Sequence, residues 1–520
     1  MKKTILSLLT LIICFKVTAQ ISNTSISNNS LTISPNGIVD NRPQSLSATS
    51  KYIAIGDSAM FSNSSGGDGV IAIGSKAMAK SSGTGYSVAI GTMSMYNAQG
   101  GYSNVAVGGA TLINNTGIGN TAIGNAAQNK NTTGIYNSAL GSGSLGGNEI
   151  GNRNVAIGSS SLSKTNSDDN IGIGYFSLLN NSSGVKNLAI GNFSLSNNSK
   201  ASNNIAIGYN SLKNFEHLNL NQPFETYNIS IGNYAAENLQ TSSNYTFKGQ
   251  KNIAIGENSL KNSSFGAFNT SIGYDAMANS SGSDNNVAIG LNALIKNQDL
   301  PNASFGMNTS IGNYSLFSAI NVERSVGVGM SSGNGYSYGS DNIFIGYHSG
   351  VTDPGISYYN SMAIGNDAVV NVSNKVVIGN SSVTQIGGYA TWSNYSDKRL
   401  KENIIYSSDL GLDFIKQLKT VRYNYKEDKN KKIRDGLIAQ DIQEILKKNG
   451  WKFSGLIEDN DTNHTLNLSY TEFVLPLINS VQELSRENDK LKKEIQSIQN
   501  DLKALTDLVK MKDGFTAKSE

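Results

Sequence analysis

From about residue 51 to 380 the apolar residues recur in one phrase: aliphatic, small, aliphatic, glycine. Tyr52-Ile53-Ala54-Ile55-Gly56, Asn154-Val155-Ala156-Ile157-Gly158, Asn204-Ile205-Ala206-Ile207-Gly208 and Asn252-Ile253-Ala254-Ile255-Gly256 are examples. Nineteen copies end with Lys375-Val376-Val377-Ile378-Gly379, and most of the glycines are 16 or 17 residues apart. Side chains alternate along a strand, so Ile205 and Ile207 share one face and Ala206 takes the other. The glycine permits a bend that a side chain would obstruct. A second apolar step follows in Ser161-Leu162, Ser177-Leu178, Ser194-Leu195, Ser211-Leu212 and Ser259-Leu260, and Asn, Ser and Gly then close the coil. One repeat reads as two short strands and two turns, a unit that buries little alone and must stack on its neighbours. Longer gaps before Gly232, Gly256 and Gly312 mark insertions such as Phe215 to Thr226. The pattern predicts a mostly β chain, a parallel β-roll or solenoid of about 19 repeats.

At residue 396 the period changes. Ser396-Asp397-Lys398-Arg399-Leu400-Lys401-Glu402-Asn403-Ile404 opens a charged, helix-forming region. Further on, Val481, Leu484, Asn488, Leu491, Ile495, Ile498, Leu502, Leu505 and Val509 alternate spacings of three and four. That is a heptad seam, with Ile495 and Ile498 at both core positions of one heptad, a choice that tilts away from two strands. Asn488 is a polar seam residue of the kind that fixes register. The expected segments are a signal peptide (1–19), a Ser/Asn-rich stretch (20–50), the repeats (51–387), a junction (388–395), a small α+β domain (396–480), a coiled coil (477–512) and a disordered tail (513–520).

Composition narrows the function. Gly 54 beside Pro 6 suits an ordered repeat once the regular Ile and Val placement is taken into account. A net charge of +3 gives no support for nucleic acid as a partner. Met1-Lys2-Lys3, an apolar run from Ile5 to Phe15 and Ala19 form a secretory pattern, which predicts a product secreted or held at the cell surface. The apolar run is too short to span a bilayer well, and no integral membrane segment is expected once it is removed. The one cysteine, Cys14, lies inside that leader, so no disulfide is expected in the mature chain. His217 and His348 stand alone in the array, carboxylates are sparse, and no metal or other cofactor is expected. Tyr175, Phe176, Phe193, Tyr209 and Tyr314 follow repeat glycines closely and offer either a binding surface for glycan or protein or an aromatic ladder between coils.

The repeats resemble the YadA-like heads of trimeric adhesins. That resemblance implies a left-handed β-roll, three chains packed side by side, and adhesion to a host, matrix or glycan ligand. The small residue between the aliphatics (Ala54, Ala156, Ala206, Ala254) would suit close approach of chains or simply face solvent.

Three ordered blocks, from Ser396 to Ile404, from Asp435 to Ile445 and from Leu468 to Ile478, resemble the intramolecular chaperone domain of phage endosialidase tailspikes. The resemblance implies a homotrimer that cuts its own chain between Tyr395 and Ser396, with Ser396 as nucleophile and Lys401 as general base. A serine hydroxyl needs a base, and a lysine serves only when burial or nearby cations pull its pKa down; Lys398 and Arg399 stand close by. Asp397 is a candidate helix cap and orienting group. On one helix Ser396 and Lys401 would stand about 500° apart, so the serine is expected in the turn before the helix, or the lysine from another chain. Either would tie cutting to folding or assembly. The competing readings are an uncut trimeric autotransporter-like adhesin and a phage-derived tail fibre; a glycan-degrading enzyme lacks an acid constellation.

Overall fold

The computed structural model describes residues 31–33, 52–62, 68–215, 224–241, 249–296, 306–390, 392–426, 428 and 431–516. The expected signal peptide, His217 and residues 517–520 lie outside them. The chain divides into two compact units at Ile378/Gly379.

The first unit is a parallel β-solenoid. Its main sheet has 20 strands, all paired in parallel, running from Leu31–Ile33 through Tyr52–Ile55 to Val376–Ile378. The repeat phrases align position on position: Leu188↔Ile205, Ala189↔Ala206, Ile190↔Ile207. Register survives the insertions, with Ile205↔Ile229 and Val287↔Thr309 still paired.

The alanine row points into the coil. Ala89, Ala106, Ala122, Ala156, Ala189 and Ala206 are all 0% exposed, while Leu140 is 49% and Ile157 38% exposed. The sequence reading that gave alanine to chain contact or solvent is therefore reversed. Alanine fits inside because the opposite wall supplies the bulk: Leu162, Leu178, Leu195 and Leu212 are fully buried. Those leucines sit in left-handed backbone, with φ of 52°, 50°, 48° and 49°. Such a conformation costs about 1–2 kcal/mol per residue. It persists because each leucine is buried and donates its N–H to the next coil, as from Leu178 to Ser194 at 3.0 Å. One coil alone would have no reason to hold this shape.

The repeat glycines have a stricter reason than bending. Gly208 lies at φ +136°, and a Cβ there would stand 2.3 Å from the carbonyl oxygen of Gly232 in the next coil.

Asparagine forms an interior rail. Each Asn that precedes a strand accepts the backbone N–H of its counterpart in the next coil. This runs without a break from Asn104 through Asn120, Asn137, Asn154, Asn170, Asn187, Asn204, Asn228, Asn252, Asn269 and Asn286 to Asn308. These residues are buried, so every link replaces water for a group that would otherwise be orphaned. Near the end of the stack the core changes composition at constant bulk. Gly333 and Gly350 stand where leucine stood, and Tyr336, Phe344 and Tyr358 fill the space, each fully buried.

The second unit is small and mixed. Helix α1 (Leu412–Gln417) is followed by an antiparallel pair, Val421–Tyr423 with Arg434–Gly436. Helix α2 (Ala439–Asn449) comes next, then the pair Leu456–Glu458 with Leu466–Leu468, and the long helix α3 (Val474–Thr516). Phe414, Ile442, Leu446 and Phe473 form its core. Gly450 ends α2 in left-handed backbone at φ 67°, the usual glycine stop. Among the described residues no helix is long and apolar enough to cross a membrane.

Candidate active site

Residues 396–401 form one tight turn. Asp397 has extended backbone and caps a 3-10 turn, Lys398–Leu400, by accepting the Arg399 N–H at 2.8 Å. Lys401 ends the turn with its own N–H on the Lys398 carbonyl and returns to extended backbone at φ −119°. Lysine at 401 is thus just past the turn, not on an α-helix. With Ser396 before the cap and Lys401 after the last residue, the side chains fold back to one another. Lys401 Nζ lies 2.8 Å from Ser396 Oγ. A single 3-10 turn solves the separation that a regular helix would have imposed.

Asp397 contacts neither member of that pair. Its carboxylate takes the Arg399 guanidinium, with Nη2 to Oδ2 at 2.6 Å. Arg399 holds the Asp397 carboxyl below its ordinary range through its side chain and then its backbone N–H. The charge on Arg399 is therefore matched locally, while among the described residues no ion pair holds Lys398. Ser396 and Lys401 are exposed, as is every residue from Ser381 to Asp409 whose burial is described.

Of the three sequence blocks, the second and third meet: Leu437 donates its N–H to Tyr470 Oη at 2.9 Å. Among the described residues no hydrogen bond or ion pair joins 396–404 to either. The first turns of α3 are tied to α1, whose start is glycine and has no side-chain cap of its own. Glu483 supplies that cap, accepting the Leu412 N–H at 2.9 Å, and Asn479 donates to the Leu410 carbonyl at 3.1 Å. Sequence reasoning missed this link because nothing in the pattern marks a cap supplied from 71 residues away.

From Val481 to Met511 every residue of α3 is exposed. Val481 is 64% exposed and Ile498 64%, and Leu484, Asn488, Leu491, Ile495, Leu502, Leu505 and Val509 are exposed with them.

In the solenoid, Tyr175, Phe176, Phe193, Tyr209 and Tyr234 form a continuous surface ladder, with centroids 3.9 Å apart at the Tyr175–Phe176 stack and 5.4 Å apart at Tyr209–Tyr234. Lys213 and Lys261 lie over Phe193 and Tyr234. Tyr314 instead meets Phe317 edge-on. His348 pairs with Asp367 and His464 with Glu458, both on the surface. Among the described residues no group of three His, Cys, Asp or Glu could hold a metal ion.

No curated protein matches the chain. One family model does: residues 396–451 match the peptidase family described as chaperone of endosialidase, and the match begins at Ser396 itself. The chain therefore carries, beside its β-solenoid, a chaperone-of-endosialidase domain, a family that implies self-cleaving peptidase activity.

Proposed function

We propose that the protein is an exported homotrimeric fibre, adhesive or structural, assembled by its C-terminal unit, which then cuts between Tyr395 and Ser396. The observation that carries this reading is the 2.8 Å approach of Lys401 Nζ to Ser396 Oγ at the first residue of the matched domain. The solenoid is read as a YadA-like head, with the aliphatic rows beside the buried alanines as the face that meets the other chains. The aromatic ladder from Tyr175 to Tyr234 is the surface for a host, matrix or glycan ligand.

Neutral Lys401 takes the Ser396 hydroxyl proton, and the oxygen attacks the Tyr395 carbonyl carbon. The Tyr395–Ser396 C–N bond breaks, the acyl group passes to the serine oxygen, and the Ser396 nitrogen leaves as an amine with the proton that Lys401 held. Water then hydrolyses the ester. The released piece begins at Ser396, and the product chain cannot react again, so each active site turns over once.

The pair is formed but wet in one chain. A lysine acts as a base near neutral pH only when desolvation or neighbouring cations favour its neutral form. Burial by neighbouring copies would supply this, so cutting waits for assembly. That order suits a fibre whose near-identical coils risk stacking out of register. A trimer seeded at α3 sets chain number first, and cutting leaves the product kinetically trapped.

The test is expression of the full chain with Ser396→Ala and Lys401→Met variants. Wild type yields a piece whose N-terminus is Ser396, and both variants stay whole. Normal cutting in either variant overturns the dyad.

A further inference from the structure

Just before the proposed cut, the apolar residues follow a third period. Val383, Ile386, Tyr389, Trp392 and Tyr395 fall at every third position. The pairs between them, Thr384-Gln385, Gly387-Gly388, Ala390-Thr391 and Ser393-Asn394, are polar or small without exception. The five apolar side chains are 42%, 62%, 113%, 88% and 94% exposed. Three aromatic side chains at about 150–250 Å² each leave roughly 450–750 Å² of apolar surface open, at or beyond the largest patch a soluble monomer of ordinary kind shows.

Period three excludes the usual elements. On a strand, Val383 and Ile386 would face opposite sides. On an α-helix each step of three falls about 60° short of a full circle, so five such residues would wind most of the way around. A 3-10 helix has the period but needs a bond every residue. Among the described residues from 384 to 396, no backbone hydrogen bond forms; the nearest are Val383 to Asn380 and Leu400 to Asp397. Extended polyproline-type backbone has three residues per turn and no internal bonds, and it puts one residue in three on a single line. In one copy residues 383–388 belong to no strand or helix and the chain bends at Tyr389 and Ala390, so the straight line belongs to the assembled form; a Cβ on Gly387 or Gly388 would meet nothing within 4 Å of its own chain. Their lack of side chains serves no contact within one copy.

We propose that residues 383–395 form a three-chain stalk, in which that apolar line from each of three copies of this chain packs around a common axis. The proposal rests on the homotrimer reading and deepens it, for it names the segment that joins the chains beside the cut. The stalk ends at Tyr395, the residue whose carbonyl is attacked, so chain pairing is enforced up to the scissile bond. After release it stays on the fibre and holds the three chains together without α3.

Trp392 is a built-in reporter once the only other tryptophan, Trp451, which packs edge-on against Phe414 in the second unit, is changed to phenylalanine. The full chain with Ser396→Ala and Trp451→Phe is sedimented for size, and Trp392 emission and acrylamide quenching are recorded. The expected result is a trimer with blue-shifted emission and quenching several-fold weaker than that of free tryptophan; adding Tyr389→Ser and Tyr395→Ser restores most of the quenching. A trimer whose Trp392 quenches like free tryptophan overturns the stalk and leaves the trimer standing. A monomer overturns the homotrimer reading and the stalk with it.

Discussion

In the solenoid, Asn187 has its side-chain oxygen on the Asn204 N–H, its amide on the Ala201 carbonyl, and neighbours on every side from its own chain. In the second unit, Trp392 and Ile498 are 88% and 64% exposed. The first region finds its partners about 17 residues along the same chain. The second has a folded core around Phe414 but leaves its seam, its reactive turn and the line from Val383 to Tyr395 open. The difference teaches where assembly has to be specified. A stack of near-identical coils is satisfied by any in-register neighbour, whereas a heptad pattern fixes which residues of separate helices meet, and the proposed stalk would do the same for residues 383–395. The outer aliphatic rows of the solenoid, such as Leu140 at 49% and Ile157 at 38% exposed, lie between these cases: bonded in backbone, open in side chain.

The contrast breaks most plainly at α3. Ile495→Asp with Ile498→Asp places charge at both core positions of one heptad; assembly is expected to be lost, with cutting lost alongside, by sedimentation and gel. Wild-type assembly and cutting in this double variant would show that the seam is not the seed.

Next in size is the rail. Asn187→Leu orphans the Asn204 N–H, at about 1–3 kcal/mol, and removes one of two bonds to the Ala201 carbonyl, which keeps the one from Asn198. With about 0.5–1.5 kcal/mol for that lost bond, a loss of about 2–4 kcal/mol is expected, read as faster hydrogen exchange centred on coils 171–207.

A paired substitution separates inside from outside. Ala189→Leu overfills a closed interior and should cost about 1–3 kcal/mol in the unfolding midpoint. Ile190→Ser on the outer row should spare exchange within the coils and weaken association instead. Equal effects on both readouts would mean that the two faces are misassigned.

The smallest effect concerns Tyr336, whose hydroxyl pKa burial pushes up to about 12, against the hydrogen bonds from Ser325 and Asn342 that pull it down. The folded state keeps this proton while the unfolded state loses it near pH 10. Stability is therefore unaffected below about pH 10 and falls as pH rises from there towards 12. Tyr336→Phe should cost about 1 kcal/mol at neutral pH for the lost hydrogen bond and should reduce that alkaline loss in a pH series of unfolding midpoints.

Much of the fold is legible in the residues. Alternation and glycine spacing place the strands of the repeat, and the spacing from Val481 to Val509 places the long helix. What alternation cannot tell is which face is inside. Aliphatics conventionally point inward, but a coil this narrow closes over alanine and leucine and leaves Ile157 outside. The rail was hidden for a related reason: Asn before a strand reads as a turn residue, and only stacking shows that one Asn after another binds the next. Ser396 and Lys401 were visible as a pair, yet their approach depends on a 3-10 turn too short to carry a periodic signal. Asp397 read as cap and orienter, and the structure gives it the cap and a clasp on Arg399 instead.

The central claim is that a serine–lysine pair, buried by assembly, cuts the chain once at Tyr395–Ser396. Intact mass and N-terminal sequencing of the wild-type and Ser396→Ala products, with sedimentation of the same samples, test it most directly. The account predicts a trimeric solenoid fragment ending at Tyr395, a piece beginning with Ser396, and a whole trimer in the variant. An uncut wild-type trimer, a cut elsewhere, or a variant that still cuts at Ser396 would contradict it.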